Sequence, residues 1–308
     1  MKHNESDRKR IKSYFENTKS GLNLERRLKP LVRRIAFPIV KILRTGPEEV
    51  IMIPPIARGG NWLYEWMAAD IYSRRRNHII KVTRAEGMAA WLNEFPLLEK
   101  LTLDKHTPFR WQRIIGHHQE LHEHFTSHDF ESCVNTYILS SESFMNRRRQ
   151  LEKYVSPDTL IINIRRGDYY SFPVIQEKFG IRTAEYVQVA IQEISSQTNF
   201  SGIVVTSDDL EWCAHHLSFL NNYAPTLFTK LGDTMFDDLA ILSLGSLFIL
   251  TNTTFGYWGA YIAAVHQPTT VLVPDVHERT DSMAIPHQHL PSWIQIPSPE
   301  GSWLDNSH

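Results

Sequence analysis

Cysteine is almost missing from this sequence: Cys133 and Cys213 are its only two, far apart and in no metal-ligand spacing. That excludes a disulfide framework and a cysteine zinc site, and it suits a reducing compartment. No apolar run reaches the roughly 20 residues that cross a bilayer, and the N-terminus lacks the apolar core of a secretion signal. The expectation is a cytoplasmic protein. Net charge is also scarce, -1 over 308 residues, but unevenly spread. Residues 1–46 hold thirteen Lys and Arg against Glu5, Asp7, Glu16 and Glu25, a local balance of +9 that leaves the remainder near -10. A His-Glu-x-x-His metal motif is absent too. His118 and His122 lie four apart, within reach of one metal on a helical face, but a solvated helix is the better account and no metal site is assigned.

What is present falls into three stretches, and the length allows two separate cores. Residues 1–46 form a basic extension. Within it Leu24, Leu28, Leu31, Ile35, Ile39 and Ile42 share one arc of a helical wheel, opposite Arg26, Lys29, Arg33, Arg34, Lys41 and Arg44. A basic amphipathic helix over 24–44 can lie on an anionic membrane or dock on the protein itself, and both readings stay open. Pro30 and Pro38 argue against one unbroken helix, since an interior proline costs ~3 kcal/mol. Residues 47–156 open with a strand, Val50–Pro55, then a glycine loop, Ile56–Asn61, then a helix from Trp62 to Arg76. Strand, glycine loop and helix in that order offer free N–H groups to an anion or a sugar nucleotide. The basic helix end before Pro157 marks a boundary, and residues 157–308 form the third stretch.

After Pro157 strands and helices alternate regularly. Strands are read at Leu160–Ile164, Ile203–Thr206, Thr226–Phe228, Leu247–Leu250 and Thr270–Pro274, and helices at 184–195, 210–217, 237–244 and from about 254 to 265. Such alternation implies right-handed βαβ units and a parallel, Rossmann-like sheet. The strand Leu160-Ile161-Ile162-Asn163-Ile164 ends abruptly in Arg165-Arg166-Gly167-Asp168. Arginine forks hold phosphates by paired charge-assisted bonds, and the carboxyl ends of parallel strands are where ligands bind. Two more strand ends face the same edge: Ser207-Asp208-Asp209, and Asn252-Thr253-Thr254-Phe255 at a helix start. Hydroxyls and N–H groups at a helix start suit a diphosphate, and a neighbouring acid suits ribose hydroxyls or a guanine edge. Helix N-capping is the plainer role for Asp208 or Asp209.

With these residues in place the sequence resembles the α-1,2-fucosyltransferases, glycosyltransferase family 11, from about Val50 to Ile296. The family pattern is met by Gly59-Gly60-Asn61, by Arg165 to Tyr169, by Ser207-Asp208-Asp209 with Trp212, and by Asn252 to Ala260. Further likeness lies in Asp237-Asp238-Leu239 through Ser243 and in Pro291-Ser292-Trp293. Three departures stand out: Asn163 where the family has His, Gly256 and Tyr257 where it has Ser and Trp, and no Leu between the loop glycines.

The resemblance implies a GT-B-like α/β fold of two Rossmann-like halves, with the donor site in the C-terminal half. It implies inverting, metal-independent transfer of fucose from GDP-fucose, with no cofactor, to a glycan acceptor that could be lipid-linked. Arg165 or Arg166 would stabilise the departing β-phosphate with help from Thr253 and Thr254, and Asp168 would be the base or would orient the arginines. Gly60, Asn61, Asp208, Asp209, Asn252 and Phe255 complete the donor-binding set. Two alternatives remain: transfer of another GDP-linked sugar, and a catalytically silent glycan- or nucleotide-binding relative. Nucleic acid is not an expected partner. Residues 24–44 could bring the chain to the inner face of a membrane.

Overall fold

The computed structural model describes residues 46–54, 57–104, 113–115, 125–279 and 286–298. The basic helix read at 24–44 and the histidines at 118 and 122 lie outside them. Two compact units make up the chain, 1–119 and 120–308.

The first unit carries a parallel four-stranded sheet of β1 (Glu49–Ile51), β2 (Ile80–Thr83), β3 (Thr102–Leu103) and β4 (Arg113–Ile115), in the order β3-β2-β1-β4. Helix α1 (Gly59–Arg76) begins inside the stretch read as a glycine loop, so Gly60 and Asn61 sit in its first turn. Its buried face carries Trp62, Trp66, Met67 and Ile71. The Trp66 indole N–H donates to Thr102 Oγ1 at 2.9 Å, and that hydroxyl donates to Leu98 O at 2.8 Å. A buried polar atom on a large apolar ring is thereby satisfied. Helix α2 (Met88–Glu94) follows β2.

The second unit opens with α3 (Ser127–Cys133) and α4 (Glu142–Leu151). Both precede Pro157, so the division of the chain lies upstream of the 156/157 boundary expected from sequence. The reason is a set of side-chain ties. Arg147 pairs with Asp237 at 2.7 Å, and Arg148 Nη1 donates to the carbonyl and hydroxyl of Ser243 at 3.1 and 2.9 Å. Composition near Pro157 could not show which helix those arginines meet.

Six parallel strands then form the main sheet: β5 (Thr159–Ile164), β6 (Gly202–Ser207), β7 (Thr226–Leu227), β8 (Leu247–Leu250), β9 (Thr270–Pro274) and β10 (Ile294–Ile296). Their order, β10-β9-β8-β5-β6-β7, runs outward from β5 to one edge, then restarts beside β5 and runs to the other. That is the doubly wound Rossmann order. The sequence pattern predicts every strand of it but β10, which is three residues long.

Between the strands lie α5 (Gly167–Ser171), α6 (Pro173–Phe179), α7 (Thr183–Gln197), α8 (Leu210–His216), α9 (Met235–Leu244) and α10 (Thr254–Ala264). Helices α5 and α6 fall between the strand at 160–164 and the helix at 184–195 that the pattern predicts; Pro173 there is at a first helical position, where its missing N–H is harmless. Strand alternation divides the core. Leu160, Ile162 and Ile164 pack with Val205, Ile249 and Leu272 against Tyr186, Val187, Ala190, Ile191 and Ile194 of α7. Ile161 and Asn163 point to the other face, toward Gly245 and Gly256.

Tyr186 is fully buried, and its hydroxyl donates to Leu250 O at 2.7 Å at the end of β8. Replacing Tyr186 with Phe leaves that strand-end carbonyl short of a donor at nearly constant volume. The expected loss is about 1–2 kcal/mol, read as a lower urea midpoint with an unchanged denaturant slope.

Candidate active site

Strands β5, β6 and β8 are neighbours, with Asn163 level with Thr206 on one side and Leu250 on the other. Their carboxyl ends therefore emerge together. After β5 the chain turns toward β6, and after β8 toward β9, so the loops part and leave a crevice between them. All three motif ends predicted from sequence meet here.

Arg165 is the best-fixed group in it. Its Nε and Nη2 donate to Asp168 Oδ1 at 3.1 and 2.8 Å, and its Nη1 lies 2.9 Å from Asp208 Oδ2. Its side chain is 37% exposed, and Nη1 and Nη2 each carry a second N–H beyond the one given to the acids. Burial works against the charge, but Asp208 and Asp168 outweigh it and hold the guanidinium pKa above the usual arginine value. Asp208 Oδ1 also accepts the backbone N–H of Arg166 at 2.8 Å. Gly167 is required by this geometry, because a Cβ there would stand 2.3 Å from Asp208 Oδ2.

Arg166 has a different fate. It is 5% exposed, with its guanidinium between the rings of Tyr170, at 3.9 Å, and Trp212, at 3.8 Å. His216 stacks on the far face of Trp212 at 4.4 Å. A planar cation suits such a layer, and cation–π contacts of this kind hold it firmly. Of the two arginines left open by the sequence, Arg165 is therefore the one whose guanidinium is not enclosed by aromatic rings.

The remaining candidates divide in the same way. Asp209 caps α8, accepting Trp212 N–H at 3.1 Å, which is the plain capping role. Asn252, read as a donor contact, gives its amide hydrogens to Phe179 O and His277 O at 2.7 and 2.9 Å. It ties the α10 entry to α6 and to the loop after β9. Thr253 caps α10 through Phe255 N–H, and Thr254 and Phe255 stand partly exposed at the helix start. Gly60 and Asn61 belong to α1 of the first unit.

Two residues that sequence reasoning left without a role stand at the same edge. Thr251 hydrogen-bonds to both Asn163 and Arg165. Asp238, in the first turn of α9, has its pKa pushed up to about 6 by burial and by Asp237, with Asp208 adding and Lys230 opposing. Adjacent acids at a helix start, within a stretch of family likeness, are the signal the sequence offers for it. Among the described residues no group of three or more His, Cys, Asp or Glu could hold a metal ion.

Two parallel-sheet units, one in full Rossmann order with a fixed arginine at its switch point, give an α/β fold of the GT-B class. The model of glycosyl transferase family 11 matches residues 73–297, and the chain belongs to that family. A galactoside alpha-(1,2)-fucosyltransferase 1 of Alouatta belzebul is 27% identical over 167 residues, 51% of this chain and 41% of that protein. An alpha-1,2-colitosyltransferase of Escherichia coli is 28% identical over 105 residues, 34% of this chain and 36% of that protein. The chain thus spans less than half of either relative. Among solved structures, an Arabidopsis thaliana FUT1 mutant in complex with GDP shares the fold, with a TM-score of 0.51 at 11% identity, covering 84% of this chain and 79% of that one.

Asp238 gives a pH test with a definite sign. Between about pH 4 and 6 the unfolded chain has released this proton while the folded one still holds it, so stability falls as pH rises through that window. Asp238→Asn removes the penalty. The variant should be more stable by about 1–2 kcal/mol at pH 7.5, with the gain shrinking below pH 6. Urea unfolding at pH 5 and 7.5 checks it; an equal gain at both would refute the raised value.

Proposed function

We propose that the chain transfers fucose from GDP-fucose to a hydroxyl of a galactoside-containing glycan, forming an α-1,2 linkage with inversion and without a metal. The observation that carries this reading is Arg165, a partly exposed guanidinium held by two carboxylates at the switch point. Expulsion of GDP builds negative charge on the β-phosphate. A cation already fixed where that charge appears stabilises the transition state without reorganising, and removal of one such donor commonly costs about 10² to 10³ in rate. Thr254, partly exposed at the α10 start, adds an N–H and a hydroxyl donor, and Thr253 holds that turn by capping it. Asp168 and Asp208 act by orienting Arg165, since their oxygens already face it. Family membership and the name of the Alouatta relative support the donor, acceptor and linkage.

Isothermal titration against GDP, GDP-fucose, GDP-mannose and UDP-sugars, with product analysis on a galactoside acceptor, tests this reading. GDP and GDP-fucose should bind and UDP-sugars should not, and Arg165→Lys should lower kcat about a hundredfold or more with little change in Tm. Absence of binding to any guanine nucleotide would sink the proposal. An acceptor carried on a lipid at the cytoplasmic face of a membrane, approached through residues 24–44, is its further part. Deleting residues 1–45 should then abolish flotation with anionic liposomes, and unchanged flotation would remove the membrane step.

A further inference from the structure

The hydroxyl of Thr251 occupies a position that a parallel sheet normally gives to a main-chain carbonyl. β5 and β8 pair with Asn163 opposite Leu250, which would set Ile164 opposite Thr251. In a parallel ladder the residue facing Ile164 donates its N–H to the carbonyl of 163 and accepts the N–H of 165 with its own carbonyl. The first bond is present: Thr251 N–H donates to Asn163 O at 3.0 Å. The second is not made that way. Arg165 N–H donates to Thr251 Oγ1 at 3.1 Å, and the same hydroxyl donates to Asn163 O at 3.2 Å.

We infer that Thr251 is the positioning residue of Arg165, its side-chain oxygen continuing the β5–β8 ladder by one rung while its own carbonyl leaves with the turn into α10. Two strands that must diverge to open a crevice are held together through the residue that carries the guanidinium. Thr251 is 1% exposed, and its hydroxyl both donates and accepts within the protein, so it acts through Arg165 and touches no ligand. Asp208 fixes the same residue from the opposite strand by its guanidinium, at 2.9 Å. Thr251 thus holds the Arg165 N–H from the β8 side, while Asp208 holds the guanidinium and the next backbone N–H from the β6 side. Removal of either lets the fork shift, and a shift of about 1 Å in a reacting geometry can cost a hundredfold. Only a side chain with oxygen on Cβ reaches this rung without moving the backbone, so Ser should serve and Val, though closest in shape, should not.

This inference rests on the proposed transfer reaction, and the experiment separates the two. Thr251→Val and Thr251→Ser are compared with the unaltered chain and with Arg165→Lys, using kcat and KM for GDP-fucose together with hydrogen exchange of the peptide containing Arg165. Thr251→Val should lower kcat about tenfold or more with a smaller change in KM, and should speed exchange of the Arg165 amide. Thr251→Ser should stay within about twofold on both measures. In the Arg165→Lys background, Thr251→Val should cause little further loss, because the group it positions is already compromised. A Thr251→Val enzyme with normal kcat, a Ser variant as impaired as Val, or full additivity with Arg165→Lys would overturn the inference. Should the unaltered chain transfer no sugar, the reaction assignment fails, and Arg165 amide exchange in the Val and Ser variants still decides the role of Thr251.

Discussion

The carboxylate of Asp208 is the contact on which the site depends. One oxygen accepts the Arg166 backbone N–H and the other faces the Arg165 guanidinium, so a side chain from β6 fixes both the path and the charge of the loop leaving β5. An N–H bound to a carboxylate is roughly twice as strong as a neutral hydrogen bond, which suits a turn that must stay put. The consequences are local and strict. Gly167 must lack a side chain because the carboxylate fills the space where a Cβ would be. Asp168, one residue on, can then reach Arg165 from the other side.

Two adjacent arginines with the same chemistry are given opposite tasks by their surroundings. Arg166 turns inward between Tyr170 and Trp212, where ring faces replace lost water and hold the cation in a plane. Its layer continues through Trp212 to His216, so the first turn of α8, itself capped by Asp209, is fastened to the β5 loop by stacking. Arg165, alternately, keeps an exposed fork between two acids. A lone guanidinium at a surface would be mobile and weakly attractive. Bracketed by carboxylates it loses some net field but gains direction, and direction is what a developing phosphate charge rewards.

The large features of this fold were legible because they follow from periodicity. Leu160–Ile164, Leu247–Leu250 and Thr270–Pro274 are short apolar runs bounded by turn residues, and alternation with helices gave a parallel sheet. What escaped was set by partners distant in sequence. β10 is three residues that become a strand only beside β9, and α5 and α6 are brief helices held by Tyr170 on Ile181 and Thr183. The site was legible as a set of residue types and illegible as a set of roles. Asn252, Asp208 and Asp209 have the chemistry of ligand contacts, but chemistry does not reveal which lone pairs and hydrogens are already taken. Thr251 escaped for the converse reason: a threonine just past a strand end is common, and its value lies in a register seen only when β8 is placed beside β5.

The departures at Asn163 and Gly256 also change meaning once the sheet is built. In sequence they are separate losses, an imidazole and a hydroxyl. In space they touch: a Cβ on residue 256 would lie 2.5 Å from Asn163 Oδ1. The Asn163 amide donates across to Thr206 Oγ1 at 2.9 Å, which turns its oxygen under the start of α10 and into the space a side chain at 256 would need. Asparagine at 163 in this orientation therefore demands glycine at 256, and the two are one change written at two positions. Asn163 is 5% exposed, so what the change alters is the floor beneath the α10 start, while Arg165, Thr253 and Thr254 keep their places above it. The break in the resemblance thus falls beneath the carboxyl ends of β5 and β8, and Arg165 above it is held by Thr251, Asp168 and Asp208, contacts that do not involve either side chain.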